Sequence, residues 1–472
     1  MMQDMTVAID LMPYKKGGMN GGVVPAAIAT MQAMVNHHIR VIAITTDDNN
    51  DELAFLENYQ ISRANLNEYQ RHEENATNDS KFVSASGKTS TKTIIYARIK
   101  HFFGGVAPQG LYDFCVRHRD FFRGILRVVA HPYIYAIKPV LKWLIPHRMM
   151  ENRMNKPKGN NAIIQSIPQV SLERLTGEKV DIFFCPFTGV SVLDPTVPIL
   201  SQVNDIQHHY LPFNFTSDEC QARELFYQRL VRTGCYFTAI SDYTRKCFIE
   251  TYQISEERIR TIYLSIQDRF IKINAELQQK VLSEEGLKDG GYLYYPANFW
   301  KHKNHRSLLI GYQMFLKQHP DSHLNLVFTG WESELANEIR DAVRSMNLTK
   351  RIHFMGYVKD EIVYALMNHC GYLIYPSLFE GFGIPLLEAM QARKPILCSS
   401  VTSIPEVVGT CAIYFEPYNP VNICNAITTA VYNKEKVNEL IKGYDAQLAR
   451  FTKENYISSM IEYMKEICNS LV

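Results

Sequence analysis

Two carboxylates, Glu380 and Glu388, bracket a glycine-punctuated stretch that reads Gly381-Phe382-Gly383-Ile384-Pro385. An apolar run over 371–375 precedes it and reads as a buried strand ending at Pro376. Pro385 suits the first position of a helix, where its missing N–H costs nothing. A second apolar strand is predicted over 395–398. Strand, loop, helix and strand in that order make the crossover of a parallel α/β sheet. The loop then lies at the carboxyl end of a strand and at a helix N-terminus, where free backbone N–H groups favour anions. Two acids flanking such a place have the look of an acid/base pair. A companion loop, Ala297-Asn298-Phe299-Trp300-Lys301-His302-Lys303-Asn304-His305, follows another apolar strand. Its cations beside a helix N-terminus are what a diphosphate needs.

The elements that must position these loops repeat along the chain. In the first half, strands are predicted over 6–11, 41–45, 181–185, 199–203, 236–240 and 259–264. Helices are predicted up to residue 36, over 218–233, and from the Ser241 cap to 252. The stretch 268–290 is polar and reads as a linker. The second half alternates strands at 293–296, 324–329 and 352–354 with helices at 307–318, 332–346 and 360–368. It ends with helices at 420–432 and 453–467. The expected organisation is a first α/β domain over 1–270, a second over 271–452, and a closing helix at 453–472 that packs back on the first. A ligand is expected in a central cleft between two such domains.

The remaining composition narrows the class. At 472 residues, with 46% hydrophobic and 21% charged residues, the chain is an ordinary globular protein of at least two domains. A net charge of +2 gives no argument for nucleic acid. Ten cysteines are scattered singly from Cys115 to Cys468, reading as core thiols in a reducing, cytoplasmic compartment. Neither a signal peptide nor an apolar run of bilayer-spanning length is apparent. No metal and no cofactor is expected; Asp47-Asp48-Asn49-Asn50-Asp51 reads as solvated capping. Gly17-Gly18-Met19-Asn20-Gly21-Gly22 follows the first strand and matches neither the dinucleotide fingerprint nor the P-loop. It reads as a positive-φ turn or a loop that approaches a ligand. Residues 46–95 read as two helices with a strand near 93–97. Over 98–160, basic residues such as Arg119, Arg123 and Arg127 interleave with Phe121, Phe122, Leu126 and Trp143. This is the composition of basic amphipathic helices for an anionic membrane surface, or of an insertion with a solvated basic face.

Taken together, Ser377-x-x-Glu380-Gly381-Phe382-Gly383-x-Pro385-x-x-Glu388-Ala389 resembles the E-x7-E signature of family 4 (group 1) retaining glycosyltransferases, which have the GT-B fold. Phe354-Met355-Gly356-Tyr357-Val358 and Pro405-Glu406-Val407 resemble the segments flanking that signature, and His302-Lys303-Asn304-His305 resembles a bacterial polysaccharide subgroup. Asp205-x-Gln207-His208 and Ser241-x-x-Thr244 fit the family's first domain. The resemblance covers residues 180–450 and, loosely, 6–45. It implies a hexose, with a lean to mannose, moved from a nucleotide diphosphate sugar to a glycan or lipid-linked acceptor, without a metal. Lys303 would contact the diphosphate, Glu388 the ribose, and Glu380 with the amides of Phe382, Gly383 and Ile384 the donor sugar and its phosphate. Gly330 would let the nucleotide approach, Val358 would lie along the base, and Gly21 and Gly22 would approach the sugar phosphate. The acceptor hydroxyl would attack from the leaving-group face. Two positions depart from the family. Asn298 stands where many relatives carry Arg, leaving Lys301 or His302 to supply a cation, and Asn204 replaces the His before Asp205. His208 or His209 is then a candidate base. A phosphorylase, an epimerase or a non-catalytic carbohydrate-binding scaffold are the other readings.

The basic segment makes a prediction of its own. Co-sedimentation with anionic liposomes is expected to fall with added salt and to be lost on charge reversal at Arg119, Arg123 and Arg127. Binding unaffected by those changes would leave a solvated insertion.

Overall fold

The computed structural model describes residues 5–14, 23–71, 167–265 and 275–470. Gly21, Gly22, the strand predicted near 93–97 and the basic segment at 98–160 lie outside the described residues. Met1–Asn67 and Ile167–Val472 form one compact unit carrying two sheets.

The first sheet contains β1 (Thr6–Asp10), β2 (Arg40–Thr45), β3 (Ser62–Asn65), β4 (Ile182–Cys185), β5 (Ile199–Val203), β6 (Tyr236–Ala239) and β7 (Ile259–Thr261). They lie in the order β3-β2-β1-β4-β5-β6-β7, and every pairing is parallel. The second sheet contains β8 (Tyr292–Pro296), β9 (Asn325–Thr329), β10 (Ile352–Phe354), β11 (Tyr372–Tyr375), β12 (Ile396–Ser399) and β13 (Ile413–Phe415). Its order is β10-β9-β8-β11-β12-β13, again all parallel. Parallel strands are covered on both faces, which is why most read as unbroken apolar runs. β8 shows what that costs and how it is met: Tyr292, Tyr294 and Tyr295 are wholly buried. Each phenol finds a partner: Tyr292 donates to the Leu366 carbonyl (2.7 Å), Tyr294 pairs with Thr329 Oγ1 (2.8 Å), and Tyr295 donates to the Lys303 carbonyl (2.8 Å).

Local signals set the helix ends. Thr216 and Glu219 form a reciprocal capping box for the helix Ser217–Arg232, and the Ser241 side chain accepts from Thr244 N to start Asp242–Tyr252. Two segments differ from expectation. The stretch taken as a polar linker holds the helix Ala275–Glu284, whose Val281 and Leu282 are buried against the second domain. Its few apolar residues are masked in the sequence by Gln, Lys and Glu between them. β3 has no apolar run at all: only Ala64 of its four residues is buried, and pairing with β2 makes it a strand. The last helix, Lys453–Asn469, crosses to the first domain. There Tyr456 OH meets Thr30 Oγ1 at 2.8 Å, and Arg260 pairs with Glu466 at 2.5 Å while lying 4.6 Å over the Tyr463 ring. No helix among the described residues is long and apolar enough to cross a membrane.

The helices His305–Gln318 and Pro420–Tyr432 pack at Gly311, where a Cβ would lie 2.7 Å from Ile423 Cβ and 2.8 Å from the Pro420 carbonyl. Gly311→Ala should therefore lower stability by about 1–3 kcal/mol from overpacking, despite a helix-propensity gain of about 1 kcal/mol. Thermal unfolding checks this, and a raised Tm would show that the two helices separate freely.

Candidate functional site

In each sheet the strand order reverses once, between β1 and β4 and between β8 and β11. Loops leaving the carboxyl ends of the two strands at a reversal diverge and leave a crevice, the ligand position of open α/β sheets. The loops after β8 and β11 are those that carry Lys303 and Glu380. They meet: Lys303 Nζ lies 2.6 Å from Glu380 Oε1, with the two side chains 13% and 11% exposed. The ammonium also sits 5.6 Å over the Tyr375 ring.

Backbone bonds fix both loops. Leu378 N donates to the His302 carbonyl (2.7 Å), and Asn304 Nδ2 donates to the carbonyls of Pro376 (3.1 Å) and Pro417 (2.8 Å). Asn304 adopts φ 57°, tolerable for asparagine, and begins the helix His305–Gln318. Across the loop, Thr402 Oγ1 accepts from Glu380 N, while Ser403 Oγ donates to the carbonyls of Glu380 and Phe382. Gly383 caps the helix Ile384–Gln391 at φ 110°. The N–H groups of Phe382, Gly383 and Ile384 find no acceptor among the described residues, so this end of the helix is a set of open donors.

The first domain closes on this loop. A Cβ on Gly381 would lie 1.8 Å from the Asn204 carbonyl, so only glycine fits. Thr244 Oγ1 donates to the Gly381 carbonyl (3.3 Å), and the Glu406 carboxylate accepts from Asp242 N (2.7 Å) and Tyr243 N (3.1 Å). A cavity of about 1320 Å³ lies at this junction, and Asn204, Asp205, His302, Lys303, Glu380 and Gly381 line it together. Asp205 Oδ1 accepts from Gln207 N, and Tyr227 OH donates to the Asp205 carbonyl at 2.5 Å.

Other expected residues stand elsewhere. His208 is buried, stacked on Tyr227 at 5.5 Å, with Nε2 3.5 Å from Glu224 Oε2, and does not line the cavity. Burial first, then the Arg223 charge, holds its imidazole below the ordinary value. The base candidate of this segment that reaches the cavity is Asp205. Asn298 is half-buried, and its Oδ1 accepts from Trp331 N (2.8 Å), so it ties two loops rather than facing the cavity. His302 lines the cavity as a neutral group: burial, then Lys303 and Arg223, push it well below its usual value. Lys301, the other residue expected to supply the cation missing at Asn298, lines the same cavity. Gly330 has φ 139°, and a Cβ there would meet the Ala297 carbonyl at 2.4 Å, so close packing against the loop after β8 demands that glycine. Phe382 is core, with its ring near Tyr263 and Phe451. Glu388 is buried on the helix begun at Gly383, and Val358 is half-buried beyond β10; neither lines the cavity.

Several residues of the site had no signal strong enough to single out. Asp10, at the reversal of the first sheet, is wholly buried and accepts from Met12 N and Ser191 N. Burial pushes its carboxyl up to about 6 against the lowering by those bonds. Arg223 and Phe213 line the cavity from the first domain, and Trp300 and Trp331 from the second. Only the tryptophans, each just past an apolar strand, had a sequence cue.

His305 packs behind Lys303, stacked 4.4 Å from the Phe299 ring, with no hydrogen-bond partner on either nitrogen among the described residues. Burial, then the charge of Lys303 and the proximity of His302, lower it from 6.5 to about 3. Between those two values the unfolded chain binds the extra proton, so stability rises with pH through the window and is lost on acidification. The slope from this group is up to about 1.4 kcal/mol per pH unit. Urea midpoints measured from neutral to acid pH should show that slope in the natural chain and a flatter one in His305→Phe. Equal slopes would mean that His305 protonates while folded.

Residues 278–445 match the family described as "Glycosyl transferases group 1". The chain is 30% identical over 230 residues to an O-antigen chain mannosyltransferase B of Escherichia coli, spanning 48% of this chain and 59% of that one. It is 28% identical to the serotype-specific mannosyltransferase WbdA of Escherichia coli, over 60% of this chain and 34% of the relative. The chain therefore spans about a third to three-fifths of these relatives. Among solved structures, HepE of Anabaena in complex with UDP and glucose aligns with a TM-score of 0.60 at 14% identity, covering 98% of this chain and all of that one. A glycosyltransferase of Rickettsia africae aligns equally, at 0.60 and 13%. The likeness establishes the GT-B fold.

Proposed function

We propose that this chain, whose residues 278–445 match the group 1 glycosyl transferases, moves a hexose, with a lean to mannose, from a nucleotide diphosphate sugar to a glycan or lipid-linked acceptor in polysaccharide synthesis, with retention. The observation that carries the proposal is the Lys303–Glu380 pair, set beside open helix donors in a cavity shared by both domains. The mannosyltransferase names of the relatives support the lean to mannose and the polysaccharide setting.

The chemistry asked of these residues is electrostatic. The sugar–phosphate bond breaks when negative charge developing on the β-phosphate is stabilised, and donors fixed in advance need not reorganise at that moment. Lys303 and the N–H groups of Phe382, Gly383 and Ile384 are assigned to that phosphate, with Lys301 as the second cation. Glu380, hydrogen-bonded to Lys303, is assigned to the donor sugar. Glu388 takes the nucleoside end, and Val358 the base. Asp205 is assigned to the acceptor side, where the cavity brings it opposite the pair. With cations of the chain itself neutralising the diphosphate, turnover is expected to survive a chelator. A basic segment at 98–160 would hold the protein at an anionic membrane face, which suits a lipid-linked acceptor.

Release of nucleotide diphosphate from UDP-, GDP- and dTDP-sugars in the presence of glycan acceptors tests the reading. Lys303→Ala and Glu380→Ala should each lower kcat by roughly a hundredfold or more. Both variants should still unfold cooperatively, at a lower Tm, because each leaves a poorly solvated charge without its partner. Wild-type rates in both would mean that the site is misplaced. Release of free sugar 1-phosphate would overturn transfer itself.

A further inference from the structure

Trp300 is 40% exposed, Trp331 45% and Phe213 65%, and all three line the cavity that holds Lys303 and Glu380. Large aromatic side chains are usually well buried, so three uncovered around one cavity mark a recognition surface. They come from three places: the loop after β8, the end of β9, and the turn Pro212–Asn214 of the first domain.

The backbone that carries the two tryptophans is tied in place. Trp331 N donates to Asn298 Oδ1 (2.8 Å), Phe299 N to the Trp331 carbonyl (3.0 Å), and Trp300 N to the Asn298 carbonyl (2.8 Å). Ser333 Oγ closes the same loop on the Phe299 carbonyl at 2.5 Å. Asn298, the departure from the family's arginine, is thus the clamp that sets both indole-bearing loops. Glu334, Glu338 and Arg306 stand beside them on the cavity wall, Arg306 being paired with Glu338.

We propose that Trp300, Trp331 and Phe213 form an acceptor subsite that stacks consecutive pyranose rings of an oligosaccharide chain. This inference rests on the transferase reading of the same cavity and names its acceptor class. A pyranose ring has a C–H face that packs on an aromatic ring and a rim of hydroxyls that hydrogen-bond to carboxylate and guanidinium groups. Aromatic faces bordered by Glu334, Glu338 and Arg306 fit both parts. A lipid chain would desolvate those charges without a partner. The growing end of the glycan would then be delivered to Lys303 and Glu380, with the preceding sugars read on the rim.

Isothermal titration calorimetry of the full chain with manno-, gluco- and galacto-oligosaccharides, from mono- to tetrasaccharide, tests this. UDP and GDP are titrated separately. In at least one series Kd should fall about tenfold or more from the mono- to the trisaccharide. Trp300→Ala and Trp331→Ala should each raise the trisaccharide Kd by about fivefold or more, and leave nucleotide Kd within about twofold. Both residues are well exposed, so the fold should survive, and thermal unfolding confirms it. No oligosaccharide binding, affinity independent of chain length, unchanged trisaccharide affinity in both variants, or loss of nucleotide and saccharide affinity together would overturn the subsite. Failure of the natural chain to bind any nucleotide, with length-dependent saccharide binding intact, would sink the donor reading and leave the subsite standing.

Discussion

The absence of a single Cβ, at Gly381, governs how the site is assembled. Its backbone lies so close to the Asn204 carbonyl that any side chain would collide with the first domain. The motif loop of the second domain is therefore pressed against the carboxyl edge of the first sheet, and β5 delivers Asn204 and Asp205 directly to it. Two further contacts hold that approach: Thr244 on the Gly381 carbonyl, and Glu406 across the first N–H groups of the helix Asp242–Tyr252. A carboxylate at a helix start is favourable through both the free donors and the helix dipole. Here it comes from the opposite domain, so a local capping rule becomes a domain contact.

That closeness gives the Lys303–Glu380 pair its character. Each side chain is only about a tenth exposed, so neither charge is well served by water. They neutralise each other at 2.6 Å. A buried ion pair is weak evidence for stability, because desolvation offsets much of the attraction. Its placement at a strand-order reversal, beside open helix donors, argues instead for a charge kept ready. In the proposed reaction an arriving diphosphate would give Lys303 a second anion and leave a lone pair of Glu380 free for the donor sugar. Burial and the Lys303 charge both lower the neighbouring imidazoles His302 and His305. Lys303 is the cation here whose place is set by its partner carboxylate, while Lys301 and Arg223 line the same cavity.

Most of the second sheet was legible because its strands are unbroken apolar runs separated by glycine and proline. The Glu380 loop was legible for the same reason: glycine spacing and a proline at the helix start encode geometry locally. What escaped was encoded by pairing. β3 is strand only because β2 lies beside it, and the helix Ala275–Glu284 looks polar until Val281 and Leu282 turn inward. In the site, Lys303 and Glu380 could be named from their loops, but not their contact, which depends on two crossovers arriving at one reversal. His208 shows the opposite failure. Its place directly after Gln202-Val203-Asn204-Asp205-Ile206-Gln207 is compatible with either side of a short helical turn, and stacking on Tyr227 selects the interior.

The substitution at Asn298 joins these observations. An arginine there would add a second fixed cation to the diphosphate side. Asparagine instead spends its side-chain oxygen on Trp331 N, and its own carbonyl accepts from Trp300 N. On the proposed reading the chain forgoes a charge at the donor and ties together the two loops that carry Trp300 and Trp331. The charge balance is consistent with that exchange: Lys301 stands two residues from Lys303 on the same cavity, and Arg223 faces it from the first domain. A long surface cation can approach an anion after it binds, because Coulomb attraction acts at a distance. Packing of a neutral ring acts only in contact, so in the proposed subsite the loops that carry Trp300 and Trp331 must already be in place, and Asn298 holds both.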